Sequence, residues 1–113
     1  MIKKWNQFIN ESVNTDEYII ADIEYDGEYI TRIELKDGRS ITTGEDSGGE
    51  DTSLEVKCKL NIGDSISFEF SNEEDNDGIK YLDGVTGINV NGNLCDCSVG
   101  SEGGNPDTFI MIK

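Results

Sequence analysis

From Tyr18 onward, apolar and polar residues alternate with a period of two, and β-branched and aromatic residues supply most of the apolar positions, the pattern of half-buried strands. In SLEVKCKL, Leu54, Val56, Cys58 and Leu60 fall on one face and Glu55, Lys57 and Lys59 on the other. After NIGD, Ile66, Phe68 and Phe70 face in while Ser67 and Glu69 face out, which predicts an antiparallel hairpin with one wet face. Upstream, YIIADIEY, EYITRIELK and RSITT are separated by Asp26-Gly27 and Asp37-Gly38, strong hairpin signals that predict a three-stranded meander. Downstream, Gly84 and Gly87 interrupt the apolar period of IKYLDGVTGINV and predict a bulge or bend, and TFIMIK (108–113) reads as a closing strand. The Gly-, Asn- and Ser-rich stretch from Asn91 to Pro106 reads as a long loop.

The first eleven residues follow a different rule. Ile2, Trp5, Phe8 and Ile9 are spaced by three, four and seven, one face of an amphipathic helix, with Lys3, Lys4, Asn6 and Gln7 opposite. The expected fold is therefore all-β, a small antiparallel barrel or sandwich of about seven strands, preceded by a short N-terminal amphipathic helix. Its divisions are a leader over 1–11, a polar linker over 12–17 and a single acidic β domain over 18–113.

Charge narrows the function. Nine Lys and Arg stand against 24 Asp and Glu, so the net charge is −15. Direct binding to nucleic acid is disfavoured, since it requires Lys and Arg to displace counterions from phosphates, and adhesion to anionic membranes is disfavoured for the same reason. No apolar run approaches the ~18 residues that a membrane span needs. Leu, Ile, Val and Phe make up 28 of 113 residues, about a quarter, enough for a folded core with acidic loops.

The chain has no histidine, which removes the Ser-His-Asp and Cys-His triads and the usual zinc sites, and the expectation is a protein that is not an enzyme. Three cysteines, an odd number with no secretory signal read before them, favour a reducing compartment. Cys58 is inward on its strand and reads as a small core hydrophobe; the alternatives are a soft-metal site with Cys95 and Cys97, or a disulfide to one of them.

Two acidic groups are the candidate partner-binding residues: Glu45, Asp46, Glu50 and Asp51 in GEDSGGEDT, and Glu73, Glu74, Asp75 and Asp77 in NEEDNDG. On a rigid β scaffold such carboxylates fit a protein partner with a basic surface, or serve solubility and keep sheet edges from pairing. Glu73, Asp75 and Asp77, followed by Gly78, also look like the opening of an EF-hand calcium loop, and they are the candidate metal ligands for weak calcium binding. The match departs at position one, which is Glu, and at position twelve, where Gly84 replaces the bidentate Glu. No other cofactor is expected.

MIKKWNQFINES resembles the capsid-targeting sequence of T-even-like tailed phages: a short Lys-bearing amphipathic leader, an aromatic, then Phe-Ile-x-Glu and a small residue. The resemblance implies docking on the prohead scaffold through Ile2, Trp5, Phe8 and Ile9, and cleavage by the prohead protease between Glu11 and Ser12. Removing 1–11 takes away two lysines and one glutamate and leaves 102 residues at −16. The resemblance covers 1–12 only; the body resembles no nameable family. The resulting expectation is a head-targeted phage protein, an internal virion component or an inhibitor of a host defence protein, located in the virion or the host cytoplasm. Its partners are then virion scaffold or capsid proteins, or that host protein. The alternatives are a structural or adhesion β module of a capsid or tail, with calcium in its acidic loops, and a small ligand-binding barrel.

Overall fold

The computed structural model describes residues 16–45, 52–101 and 108–113, and all regular structure among them is strand, ten in number. They are β1 (Tyr18–Asp26), β2 (Tyr29–Leu35), β3 (Ser40–Glu45), β4 (Thr52–Val56), β5 (Ser65–Glu69), β6 (Asn72–Asn76), β7 (Ile79–Asp83), β8 (Gly87–Val90), β9 (Asn93–Ser101) and β10 (Thr108–Ile112). The all-β expectation holds, with more strands than the roughly seven expected. The expected helix over 1–11 lies outside the described residues.

The strands form one antiparallel sheet in the order β1-β5-β8-β9-β4-β2-β3-β10-β7-β6, and an added β1–β2 pairing joins its first six strands into a ring. β2 makes this possible by dividing one edge between two neighbours. Ile30 pairs with Leu54 of β4 and so closes the ring, while Ile33 and Glu34 pair with Ile41 and Ser40 of β3 and start an arm, β3-β10-β7-β6. The inward face of the ring is lined by Ile20, Ile33, Leu54, Ile66, Phe68 and Ile88, and the arm adds Ile41, Leu82, Ile110 and Ile112 to the same core. Period-two alternation places Ile66 and Phe68 of β5 and Ile110 and Ile112 of β10 inside, while in β2 a register shift against β1 lets Ile30 and Ile33, three apart, both reach the core.

Local turn chemistry explains the hairpins. Asn76 pairs with Ile79 across Asp77-Gly78, whose φ values are 53 and 81, and Val90 pairs with Asn93 across Asn91-Gly92, at 52 and 89. Positive φ at both central positions is the type I′ requirement, which Asp-Gly and Asn-Gly meet with least strain. The meander of β1, β2 and β3 forms as expected.

Three expectations are corrected. The segments 54–60 and 65–70 do not make a hairpin: β4 pairs with β2 and β9, whereas β5 pairs with β1 and β8. The connection is hooked elsewhere, because Gly63 N donates to Ile20 O at 2.8 Å and Ile20 N donates to Asp64 O at 3.0 Å, tying the turn to β1. The inward assignments survive in Leu54, Leu60, Ile66 and Phe68, all buried. Second, the stretch read as a loop from Asn91 contains the nine-residue strand β9, paired with β8 and then β4. Third, NEEDN is itself strand β6 rather than loop. The predicted break near Gly84 is real; it is a bend that separates β7 from β8.

Candidate functional site

The acidic hairpin β6–β7 is the outermost part of the arm, since β6 ends the strand order. Its twelve residues, 72–83, contain five carboxylates and a single basic residue, Lys80. Every residue of β6 is exposed. Because Glu73 is opposite Leu82 and Asp75 opposite Lys80, these two acids lie on the core side of the arm, and Glu74, opposite Tyr81, lies on the outer side.

Lys80 joins one of the two inner acids, Glu73, to Asp16. Its Nζ donates to Asp16 Oδ2 at 2.8 Å and lies 3.2 Å from Glu73 Oε2, with its own side chain only 18% exposed. Hydrogen bonding to Asp16, and next to Glu73, holds the ammonium well above the ordinary lysine range in spite of its partial burial. Beside this triad is Tyr18, 3% exposed, whose hydroxyl has no hydrogen-bond partner among the described residues. Burial raises its pKa, with Lys80 opposing. The Arg39 guanidinium sits 5.3 Å from the Tyr18 ring centroid and is itself held by Asp37 Oδ2, at 3.0 Å from Nε and 2.7 Å from Nη2. Those bonds hold the Asp37 carboxyl below the usual range. Sequence reading missed this network, since its members come from the entry to β1, β1 itself, the β2–β3 turn, β6 and β7.

The two acidic groups do not merge into one patch as far as they are described. Asp46, Glu50 and Asp51 lie outside the described residues. Glu45 ends β3 and is buried, 7% exposed, opposite Thr108 of β10, so it is not an exposed contact residue. From β3 to β6 is three strand spacings, roughly 14 Å. Ile2, Trp5, Phe8, Ile9, Glu11 and Ser12 also lie outside the described residues.

The calcium reading fares differently. Residues two apart on a strand are separated by roughly 6.6 Å, so Glu73 and Asp75 are spread along β6 where an EF-hand loop would curl them around an ion. Gly78, which the EF-hand pattern would use for its sharp turn, here serves a type I′ hairpin. Among the described residues no group of three His, Cys, Asp or Glu side chains could hold a metal ion. No helix among them is long and apolar enough to cross a membrane.

Comparison with protein families, with curated proteins and with solved structures returns no match. The class of protein defined by the fold is thus an antiparallel β domain, a ring of six strands with a four-stranded arm that ends in an acidic hairpin.

Proposed function

We propose that this chain is a non-enzymatic binding protein that engages a protein partner with a basic surface through the β6–β7 hairpin. The observation that carries the reading is the mismatch in charge and pairing on that hairpin: five exposed strand residues, NEEDN, end the sheet, and Lys80 is committed to Glu73 and Asp16. Glu74, Asp75 and Asp77 are exposed, Glu74 on the outer face, Asp75 on the other and Asp77 in the turn between the two strands. Complementary charge of this kind speeds encounter and sets specificity more than it adds raw affinity. The leader resemblance in 1–12 supplies the setting, a phage head or the host cell reached from it, with Ile2, Trp5, Phe8 and Ile9 as docking residues and Glu11-Ser12 as the cleavage point.

Binding to a Lys/Arg-rich peptide of defined sequence, measured by calorimetry at low and high salt, tests the first part. A salt-sensitive complex that Glu74→Lys, Asp75→Lys and Asp77→Lys together abolish, in a variant that still folds, supports it. Equal binding by the reversed variant overturns it. For the setting, mass spectrometry of mature virions should show a species that begins at Ser12; particles holding only chain that begins at Met1 would overturn the cleavage.

A further inference from the structure

Outside the acidic hairpin, the chemistry-bearing cluster with the most defined geometry is the trio of thiols at the junction of β4 and β9. Glu55 pairs with Ser98 and Val56 with Cys97, and Lys57 N then donates to Asp96 O at 3.0 Å. β4 ends at Val56 and the chain bends at Lys57 and Cys58, which leaves Cys58 beside Cys95 at the end of the ladder. With Lys57 N bonded to Asp96 O, the next cross-strand position is of the non-hydrogen-bonded kind, where in a regular ladder Cα atoms approach to about 4.5 Å and side chains are nearest. That separation lies at the short end of the roughly 4.4–6.8 Å range that a disulfide spans. The two thiols are close enough for each to be felt by the other, since Cys95 contributes to raising the Cys58 pKa, and all three cysteines are free.

We infer that Cys58 and Cys95 are an oxidation site that closes as a cross-strand disulfide, with Cys97 excluded. The reaction is exchange with a low-molecular-weight disulfide. One thiol attacks it and releases one small thiol, and the second thiol attacks the resulting mixed disulfide. The Cys58–Cys95 Sγ–Sγ bond forms, the small disulfide is reduced, and the two protons leave on the two small thiols. Cys58 and Cys95 are half-buried and within reach of such a reagent, whereas Cys97 is buried at 4% exposure. Burial pushes the Cys97 thiol up to about 12, and burial together with the Cys95 contact pushes Cys58 up to about 11. The dithiol is therefore stable until an oxidant is supplied. Closure would staple the chain where it leaves β4 for the turn tied to β1, the connection on which the ring depends.

The full-length protein incubated with oxidised glutathione and then analysed by mass spectrometry tests this. The expected product has lost about 2 Da, the two thiol hydrogens, retains one alkylatable cysteine, and shows a Cys58–Cys95 link on fragmentation. Cys97→Ser should still form the link, and Cys58→Ser and Cys95→Ser should not. Oxidised protein should also unfold at a higher urea midpoint, reversed by reductant. A stable glutathione adduct without a link, or a link that maps to Cys97 in the unsubstituted chain, would overturn the inference, and fragmentation of that chain decides the matter even where a variant fails to fold.

Discussion

Lys80 of β7 and Asp16, 64 positions apart in the chain, meet at 2.8 Å, and this contact ties the entry to β1 to the outermost hairpin of the arm. Glu73 joins from β6 at 3.2 Å. An ion pair of fully exposed groups contributes little, but Lys80 is mostly covered and its bonds are charge-assisted. Lys80→Ala is expected to lower unfolding free energy in urea by about 1–2 kcal/mol, with a smaller loss in Lys80→Arg. An unchanged urea midpoint in Lys80→Ala would show the triad to be ornamental.

The same corner sets an alkaline limit to stability. Tyr18 and Lys80 both titrate above their ordinary values of 10.0 and 10.5, so each keeps its proton in the folded chain at pH values where the unfolded chain has begun to release it. Their contribution is complete below about pH 10 and is lost as pH rises through the folded values. Thermal unfolding followed from pH 8 upward, on the order of half a unit at a time, should show a decline that Lys80→Met makes shallower.

Tyr18→Phe offers an independent check of the buried hydroxyl. A buried hydroxyl without a partner costs on the order of 1 kcal/mol or more, so removing it is expected to leave stability equal or to raise it by about 1 kcal/mol. A clear loss in urea denaturation would mean that the hydroxyl is hydrogen-bonded in solution.

Gly78 takes φ 81 in the Asp77-Gly78 turn, a conformation that a β-carbon resists. Gly78→Ala should therefore cost about 1 kcal/mol even though the space around it is open. Phe68→Ala, at 1% exposure inside the ring, should cost about 3–5 kcal/mol. Chemical denaturation of both variants would rank them, and a reversed order would contradict the assignment of Phe68 to the core.

Calcium should not act as a structural ligand of the β6 carboxylates. With Glu73 held by Lys80 and Asp75 spaced along the strand, millimolar calcium is expected to move the melting temperature no further than magnesium does. A rise specific to calcium would restore the EF-hand-like reading of Glu73, Asp75 and Asp77.

Much of the fold was legible because side-chain period and turn chemistry are local. Leu54, Leu60, Ile66 and Phe68 are inside as their alternation demands, and the hairpin after Asp26 forms where its Gly stands. β9 falls in a stretch whose Gly, Asn and Ser content reads as loop, although Cys95, Cys97 and Val99 alternate as a strand does. β6 was hidden for a different reason: a strand made of Asn, Glu and Asp has no apolar period, and it exists because β7 supplies a partner edge. Of the candidate site, Glu74, Asp75 and Asp77 were legible as exposed acids, but the Lys80 network was not, since nothing local links Asp16 to residue 80.

The sequence by itself determined that this chain folds as β, that Leu54, Leu60, Ile66 and Phe68 face inward, that the chain turns after Asp26 and Asp37, and how acidic it is, because each follows from spacing, from one residue's backbone preference or from composition. Tertiary structure alone decided that β4 joins β9 and β2 while β5 joins β1 and β8, that Glu45 is buried, and that Asp16 reaches Lys80. The physical reason is that backbone hydrogen bonding is the same for any strand edge: alternation specifies a face, and only the closing of the ring around a shared core selects the neighbour.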